Sequence, residues 1–116
     1  MSQFSSYQSG KLAEFYARSF LRLHGFSIVE SRHITGRGTG RAEIDIIARR
    51  GKLLVFVEVK RRATIERGFA AIRTDQRIRL RRAAENYFAK NQWRGDARFD
   101  VIVVCGWRIF WARNVI

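Results

Sequence analysis

Apolar and polar positions are most strongly organised between Arg41 and Arg62, in the stretch RAEIDIIARRGKLLVFVEVKRR. Two runs rich in Ile, Val, Leu and Phe flank a polar break, Arg49-Arg50-Gly51-Lys52, and this arrangement predicts a β-hairpin. Upstream, Leu12, Phe15, Tyr16, Phe20 and Leu23 recur at three- and four-residue steps. They predict a helix from Gln8 to His24 with these five side chains on its core face and Gly25 just past its end. Phe26 to Glu30 reads as a short strand, and Ser31 to Gly40 as a loop centred on Gly36-Arg37-Gly38-Thr39-Gly40. Downstream, Thr74 is a good N-cap for a helix from Asp75 to about Lys90, with Ile78, Leu80, Ala84, Tyr87 and Phe88 facing the core. Ala97 to Cys105 is a strand whose run Val101-Ile102-Val103-Val104 suits a sheet position covered on both faces, and Trp107 to Val115 is a last strand. The order α-β-β-β-α-β-β gives an α/β fold, a mixed sheet flanked by helices, in a single domain over residues 1–116.

Four charges interrupt the apolar hairpin: Glu43, Asp45, Glu58 and Lys60. Charges inside a strand are costly unless paired, hydrogen-bonded or bound to a metal. With Arg50 and Gly51 as a two-residue turn, Asp45 lies opposite Phe56 and Glu43 opposite Glu58. Alternation then puts all four charges on one face, with the Cβ atoms of Asp45 and Glu58 roughly 7 Å apart across a diagonal. Two carboxylates so placed can share a divalent cation that prefers hard oxygen ligands; without one they repel, and one is pushed towards protonation. A turn with an odd number of residues would swap the faces and break the argument.

Charge changes the picture next. The chain carries 23 Lys and Arg against 10 Asp and Glu, a formal net charge of +13. So basic a surface suits a polyanion, because each neutralised phosphate releases counterions. Arg73, Arg77, Arg79, Arg81 and Arg82 crowd the start of the second helix and read as a surface that tracks phosphates. No apolar run reaches the ~20 residues of a membrane span, and the N-terminus shows no secretory pattern. The lone Cys105 reads as a buried small hydrophobe in a reducing, cytoplasmic setting. His24 and His33 have no metal-ligand spacing and read as ordinary residues. The glycine cluster lacks the Lys-Ser or Lys-Thr of a P-loop; it is a connection or a basic loop, through Arg37, touching a phosphate backbone.

At Asp45-Ile46-Ile47-Ala48 and Glu58-Val59-Lys60 the chain resembles the Asp…(Asp/Glu)-X-Lys signature of restriction-endonuclease-like nucleases, small Holliday-junction resolvases in particular. The longer pattern is similar to the YraN family of small bacterial proteins predicted to be nucleases. That family typically carries Gly-Glu-Ile-Asp, Phe-Val-Glu-Val-Lys, a Lys-Gln-containing basic helix and Arg-Phe-Asp-Val. Here the corresponding residues are Ala42-Glu43-Ile44-Asp45, Phe56-Val57-Glu58-Val59-Lys60, Asp75-Gln76 and Arg98-Phe99-Asp100-Val101, with Ala42 in place of the Gly and Asp75 in place of the Lys. The resemblance implies a restriction-endonuclease-like fold and a Mg²⁺- or Mn²⁺-dependent endonuclease acting on DNA, branched or structured DNA among its candidates. It further implies Asp45, Glu58 and Lys60 as catalytic residues, with Asp45, Glu58 and the Val59 carbonyl as metal ligands. Glu14, in Ala13-Glu14-Phe15-Tyr16-Ala17, stands where the resolvases place a first-helix glutamate. It is either a third metal carboxylate or an exposed acid pairing with Arg18 four residues on. Arg62 matches a family arginine and Arg61 departs from its threonine; both are placed to hold a phosphate. Arg37, Arg61, Arg62, Arg73, Gln76, Arg77 and Arg81 form the expected nucleic-acid-binding set. Asp100 is expected to orient an arginine, and Glu43 to act behind the metal ligands or pair with Arg41.

Two rivals remain open at this level. A nuclease scaffold can serve as a catalytically silent nucleic-acid-binding module, since fold does not dictate activity. The Trp107/Trp111 edge could instead mark an adaptor within a larger complex, or the interface of a homodimer.

Overall fold

The computed structural model describes residues 6–35, 42–64, 66–67 and 74–115, with side chains for all of these except 6–9, 33–35, 42, 74–76 and 79. The elements run α1 (Ser6–Leu23), β1 (Ser27–Thr35), β2 (Ala42–Arg50), β3 (Leu53–Arg61), α2 (Thr74–Asn91), β4 (Asp96–Cys105) and β5 (Arg108–Ala112). The strands form one five-stranded sheet in the order β1-β2-β3-β4-β5. Only the β3–β4 pairing is parallel, and α2 lies in its crossover, as a parallel connection requires. The expected mixed α/β arrangement and element order are therefore observed.

The strands sort their side chains between two helices. On one face, Ala13, Ala17 and Leu21 of α1 pack with Phe26, Ile46, Ala48, Val55, Val57, Ile102 and Val104. On the other, Leu80, Ala83, Ala84 and Tyr87 of α2 pack with Ile44, Ile47, Leu54 and Phe56. Val101 to Val104 are all buried, as a strand covered on both sides should be.

Three expectations are corrected. Of the bulky stripe on α1, Phe20 alone packs against the core: Phe15 is 52% exposed, Leu12 and Tyr16 are exposed too, and Leu23 lies almost wholly in solvent. Ala13 and Ala17 face inwards because small side chains let the helix approach the sheet closely, and a Phe at either place would hold it off. β1 does not end at Glu30; antiparallel pairing with β2 carries it to Thr35 across a bulge between Ile28 and Glu30. Its polar residues are strand because β2 supplies hydrogen-bond partners, whatever their propensity. On α2, Ile78 is exposed rather than packed.

The hairpin turn is Gly51-Lys52, one residue later than expected, with Arg50 paired to Leu53. Gly51 sits at φ 60°, and a type II′ hairpin turn needs a positive φ at its first central position. The alternative turn would have forced Arg50 into that conformation. The turn keeps an even number of residues, so parity survives. The register nevertheless moves: continued along both strands, it sets Asp45 opposite Glu58 and Glu43 opposite Lys60.

Candidate functional site

The ladder between β2 and β3 stops at Ile46–Val57, although both strands run on. Beyond that pair, the Val59 N–H donates to Asp45 Oδ2 at 2.8 Å. A side-chain carboxylate thus takes the place that a β2 carbonyl would fill, and it wedges the strands apart. Strict alternation also fails here. Ile44 and Ile47 both face α2, three positions apart, so the chain between them swings Asp45 towards α1.

The opening is a cavity of about 290 Å³ lined by Gly10, Ala13 and Glu14 of α1, Arg32 of β1, Glu43 and Asp45 of β2, and Glu58, Val59 and Arg61 of β3. Four carboxylates meet two guanidinium groups in it. The convergence expected from a shared pleat face is thus reached by another route, the parting of two strands against a helix.

Glu43 is exposed, and the other three acids are each held differently. Glu14 is buried and forms a two-pronged ion pair with Arg32, at 2.8 Å to Nη2 and 3.3 Å to Nε. It is therefore not an exposed partner of Arg18; it belongs to the cavity. Glu58 is buried with Lys60 Nζ 3.1 Å from its Oε1. Asp45 has the Val59 N–H beside it and three acids around it. Burial first, then the Glu58 charge, push its pKa up to about 8, with Glu14 and Glu43 adding to the rise and the Val59 N–H opposing it. Among the described residues no three acid, histidine or cysteine groups already stand as a metal cage; Arg32 draws on Glu14 and Lys60 on Glu58. The oxygen-only donor set is of the kind that suits a hard divalent cation.

Arg32 was not foreseen. It falls opposite Asp45, between the pairs Ser31–Ile46 and His33–Ile44, and has φ 55°. A non-glycine residue held left-handed inside a strand carries strain of order 1–3 kcal/mol, a cost that collects at functional sites. Nothing local in a polar stretch read as loop marks it; only pairing β1 to β2 brings it to Glu14.

The remaining predicted residues divide. Arg61 lines the cavity. Arg62 is exposed, its backbone N–H extends the β3–β4 pairing to the Val104 carbonyl, and its Nη1 donates to the Arg61 carbonyl. Arg77 and Arg81 are exposed on α2, whose buried side packs on the sheet face opposite α1, and neither lines the cavity. Gln76 is in the first turn of α2, its side chain outside the described set; Arg37 and Arg73 lie outside the described residues. Asp100 is a separate centre. Fully buried, it accepts from Arg98 Nε and Nη2 at 2.9 Å each, from Trp111 Nε1 at 2.7 Å and from the Asn114 N–H at 2.8 Å. It orients an arginine, as expected. Trp111 is packed against Phe20, His24 and Phe26 and is no free edge, whereas Trp107 at the hairpin tip is 88% exposed. His24 Nδ1 donates to the Phe20 carbonyl at 2.8 Å, a bond at the end of α1.

No helix among the described residues is long and apolar enough to cross a membrane. The chain is 41% identical over 102 residues to a UPF0102 protein of Paramagnetospirillum magneticum, covering 86% of this chain and 79% of that one. It is 40% identical over 106 residues to one from Bartonella quintana, covering 90% and 84%. A third, from Rhizobium meliloti, is 40% identical over 109 residues, covering 91% and 84%. The profile of the uncharacterised protein family UPF0102 matches residues 13–104, from the helix that carries Glu14 to the end of the buried run in β4, and the chain belongs to that family.

Proposed function

We propose that this protein is a metal-dependent phosphodiesterase acting on nucleic acid, in the first place DNA with branched or irregular structure, on a restriction-endonuclease-like fold. The observation that carries the reading is Asp45: a carboxyl placed among Glu14, Glu43 and Glu58 with a backbone N–H for a donor, in a cavity wide enough for a hydrated ion. Such crowding of like charge is costly for the fold and is relieved by a divalent cation. Asp45 and Glu58, with the Val59 carbonyl, would hold Mg²⁺ or Mn²⁺, and Glu14 is a third carboxylate for which Arg32 competes. When bound, the ion supplies polarisation of the phosphate and a lowered pKa for the attacking water.

The chain's own groups do the rest. Asp45, whose pKa is pushed up to about 8 by burial and its acid neighbours, would have to lose its proton to solvent to serve as a ligand. Lys60, beside Glu58, has an ammonium that can turn to a phosphate oxygen and stabilise the charge that builds there. Arg61, at the cavity wall, holds the entering phosphate, and the net charge of +13 draws the polyanion in. Labelled junction, flap, single-stranded and duplex DNA incubated with Mn²⁺ test the reading. Cleavage of at least one is expected, and Asp45→Asn abolishes it. No cleavage of any substrate, or cleavage undiminished in that variant, rejects it.

A second reading has one observation in its favour. The Glu14–Arg32 and Glu58–Lys60 pairs already neutralise two of the acids, as a silent nucleic-acid-binding module would need. Salt-sensitive DNA binding that ignores metal and is unchanged in Glu58→Gln would select it.

A further inference from the structure

A second cavity, of about 270 Å³, adjoins the first and shares Ala13 and Arg61 with it. Its other lining residues are Leu12 and Tyr16 from α1, and Val104, Gly106 and Trp107 from the end of β4 and the β4–β5 turn. Where the first cavity is acidic, this one is apolar and aromatic. Nothing in the fold asks for that lining to be exposed. Leu12 and Tyr16 are turned outwards because Ala13 and Ala17 take the inner side of α1. The turn pairs Cys105 with Arg108, and Gly106 takes φ 62°, which leaves Trp107 at the tip, almost fully in solvent. A turn tip is ordinarily a place for small polar residues, and an indole there costs solubility without adding to the core.

We propose that this groove receives an unpaired nucleobase next to the phosphate held at the acidic cavity. The proposal rests on the hydrolytic reading above and narrows its substrate class to strands with at least one nucleotide out of the stack. Three features favour a base over another apolar guest. An aromatic surface beside an arginine is the composition on which bases stack, since every base offers a π-face and a guanidinium can lie over it. Arg61 borders both cavities, so one cation can sit between a base in the groove and a phosphate in the pocket. The charge of +13 attracts a polyanion and opposes a second copy of the same chain at this face. A base within continuous duplex cannot enter, because its faces are already covered.

Affinity and photo-crosslinking in EDTA, with oligo-dT carrying 5-iodouracil and a blunt duplex of equal length as probes, decide the matter. Crosslinks at Tyr16 or Trp107 are expected. Trp107→Ala should weaken single-strand binding about tenfold, the loss of one stacked base, and leave duplex binding unchanged. Its exposed position makes misfolding no explanation, and the thermal melt checks this. Crosslinks confined to other residues, or equal losses on both probes, overturn the proposal. So does a Trp107→Ala variant that turns a sedimenting dimer into a monomer with single-strand affinity intact. The two readings fail separately. If no DNA is ever cut but Trp107→Ala still loses its single-strand preference, the groove stands and hydrolysis falls. If intact duplex is cut and Trp107 has no effect, hydrolysis stands and the groove falls.

Discussion

Asp45 and Asp100 are both aspartates in central strands of one sheet, and they are solvated by the protein in opposite ways. Asp100 accepts four hydrogen bonds, two from a guanidinium, one from an indole and one from the backbone. Asp45 accepts from the Val59 N–H and meets the fields of three other carboxylates. The first arrangement satisfies a buried charge and ties the C-terminal segment back to β4. The second leaves a carboxyl whose ionised form the fold alone does not compensate, in an open cavity. Burial by itself therefore says little about a carboxylate's role; the donors around it decide whether it is a fastening or a place for something else to bind.

The largest effect should come from breaking the satisfied centre. Asp100→Ala strands the Arg98 guanidinium and removes the acceptor of Trp111 and Asn114, a loss of about 3–5 kcal/mol as for other broken buried pairs, read by urea denaturation. The same denaturation curve should move the other way at Asp45. Its folded pKa of about 8 lies above the ordinary 3.8, so the native state holds a proton that the unfolded chain has released. Between those pH values stability therefore falls as pH rises, by at most about 1.4 kcal/mol per unit from this group. In EDTA at pH 8, Asp45→Asn should be more stable than wild type, and its pH slope flatter. An Asp45→Asn variant that melts lower at pH 8 would contradict the picture of an uncompensated charge.

Adding Mn²⁺ sharpens the contrast. Wild type should gain about 2.7 kcal/mol at a hundredfold excess over Kd, measured by thermal melts at pH 8 and reversed by chelation. Asp45→Asn should gain far less, and Asp100 variants should keep their response. The smallest effect is expected at Arg32. Arg32→Gly relieves a left-handed backbone but forfeits a half-exposed ion pair, so stability should change by about 1 kcal/mol or less. Manganese affinity, measured by titration calorimetry, should rise several-fold as Glu14 is released; an unchanged affinity would remove Glu14 from the metal site.

Much of this was legible in the chain. Local periodicity located both long helices and the hairpin to within a few residues, because side-chain alternation and helical recurrence depend only on near neighbours. The charges inside the apolar runs singled out Asp45, Glu58 and Lys60, and the Arg-Phe-Asp-Val segment pointed to an arginine held by Asp100. Gly51 sets the register, since in the break Arg49-Arg50-Gly51-Lys52 only it takes a positive φ without strain.

The remainder was decided by three-dimensional contact. Which side of α1 faces the sheet depends on how closely two elements approach, and there Ala13 and Ala17 outrank Phe15 and Tyr16, although hydrophobicity alone ranks them the other way. The reach of β1 to Thr35 depends on a partner strand with open hydrogen bonds. The parting of β2 from β3, the arrival of Arg32 at Glu14 and the pairing of an aromatic groove with an acidic cavity all join residues far apart in sequence. Residue type and spacing announced which groups could do chemistry; packing alone determined which of them share a space, because separation along the chain carries no information about distance across a sheet.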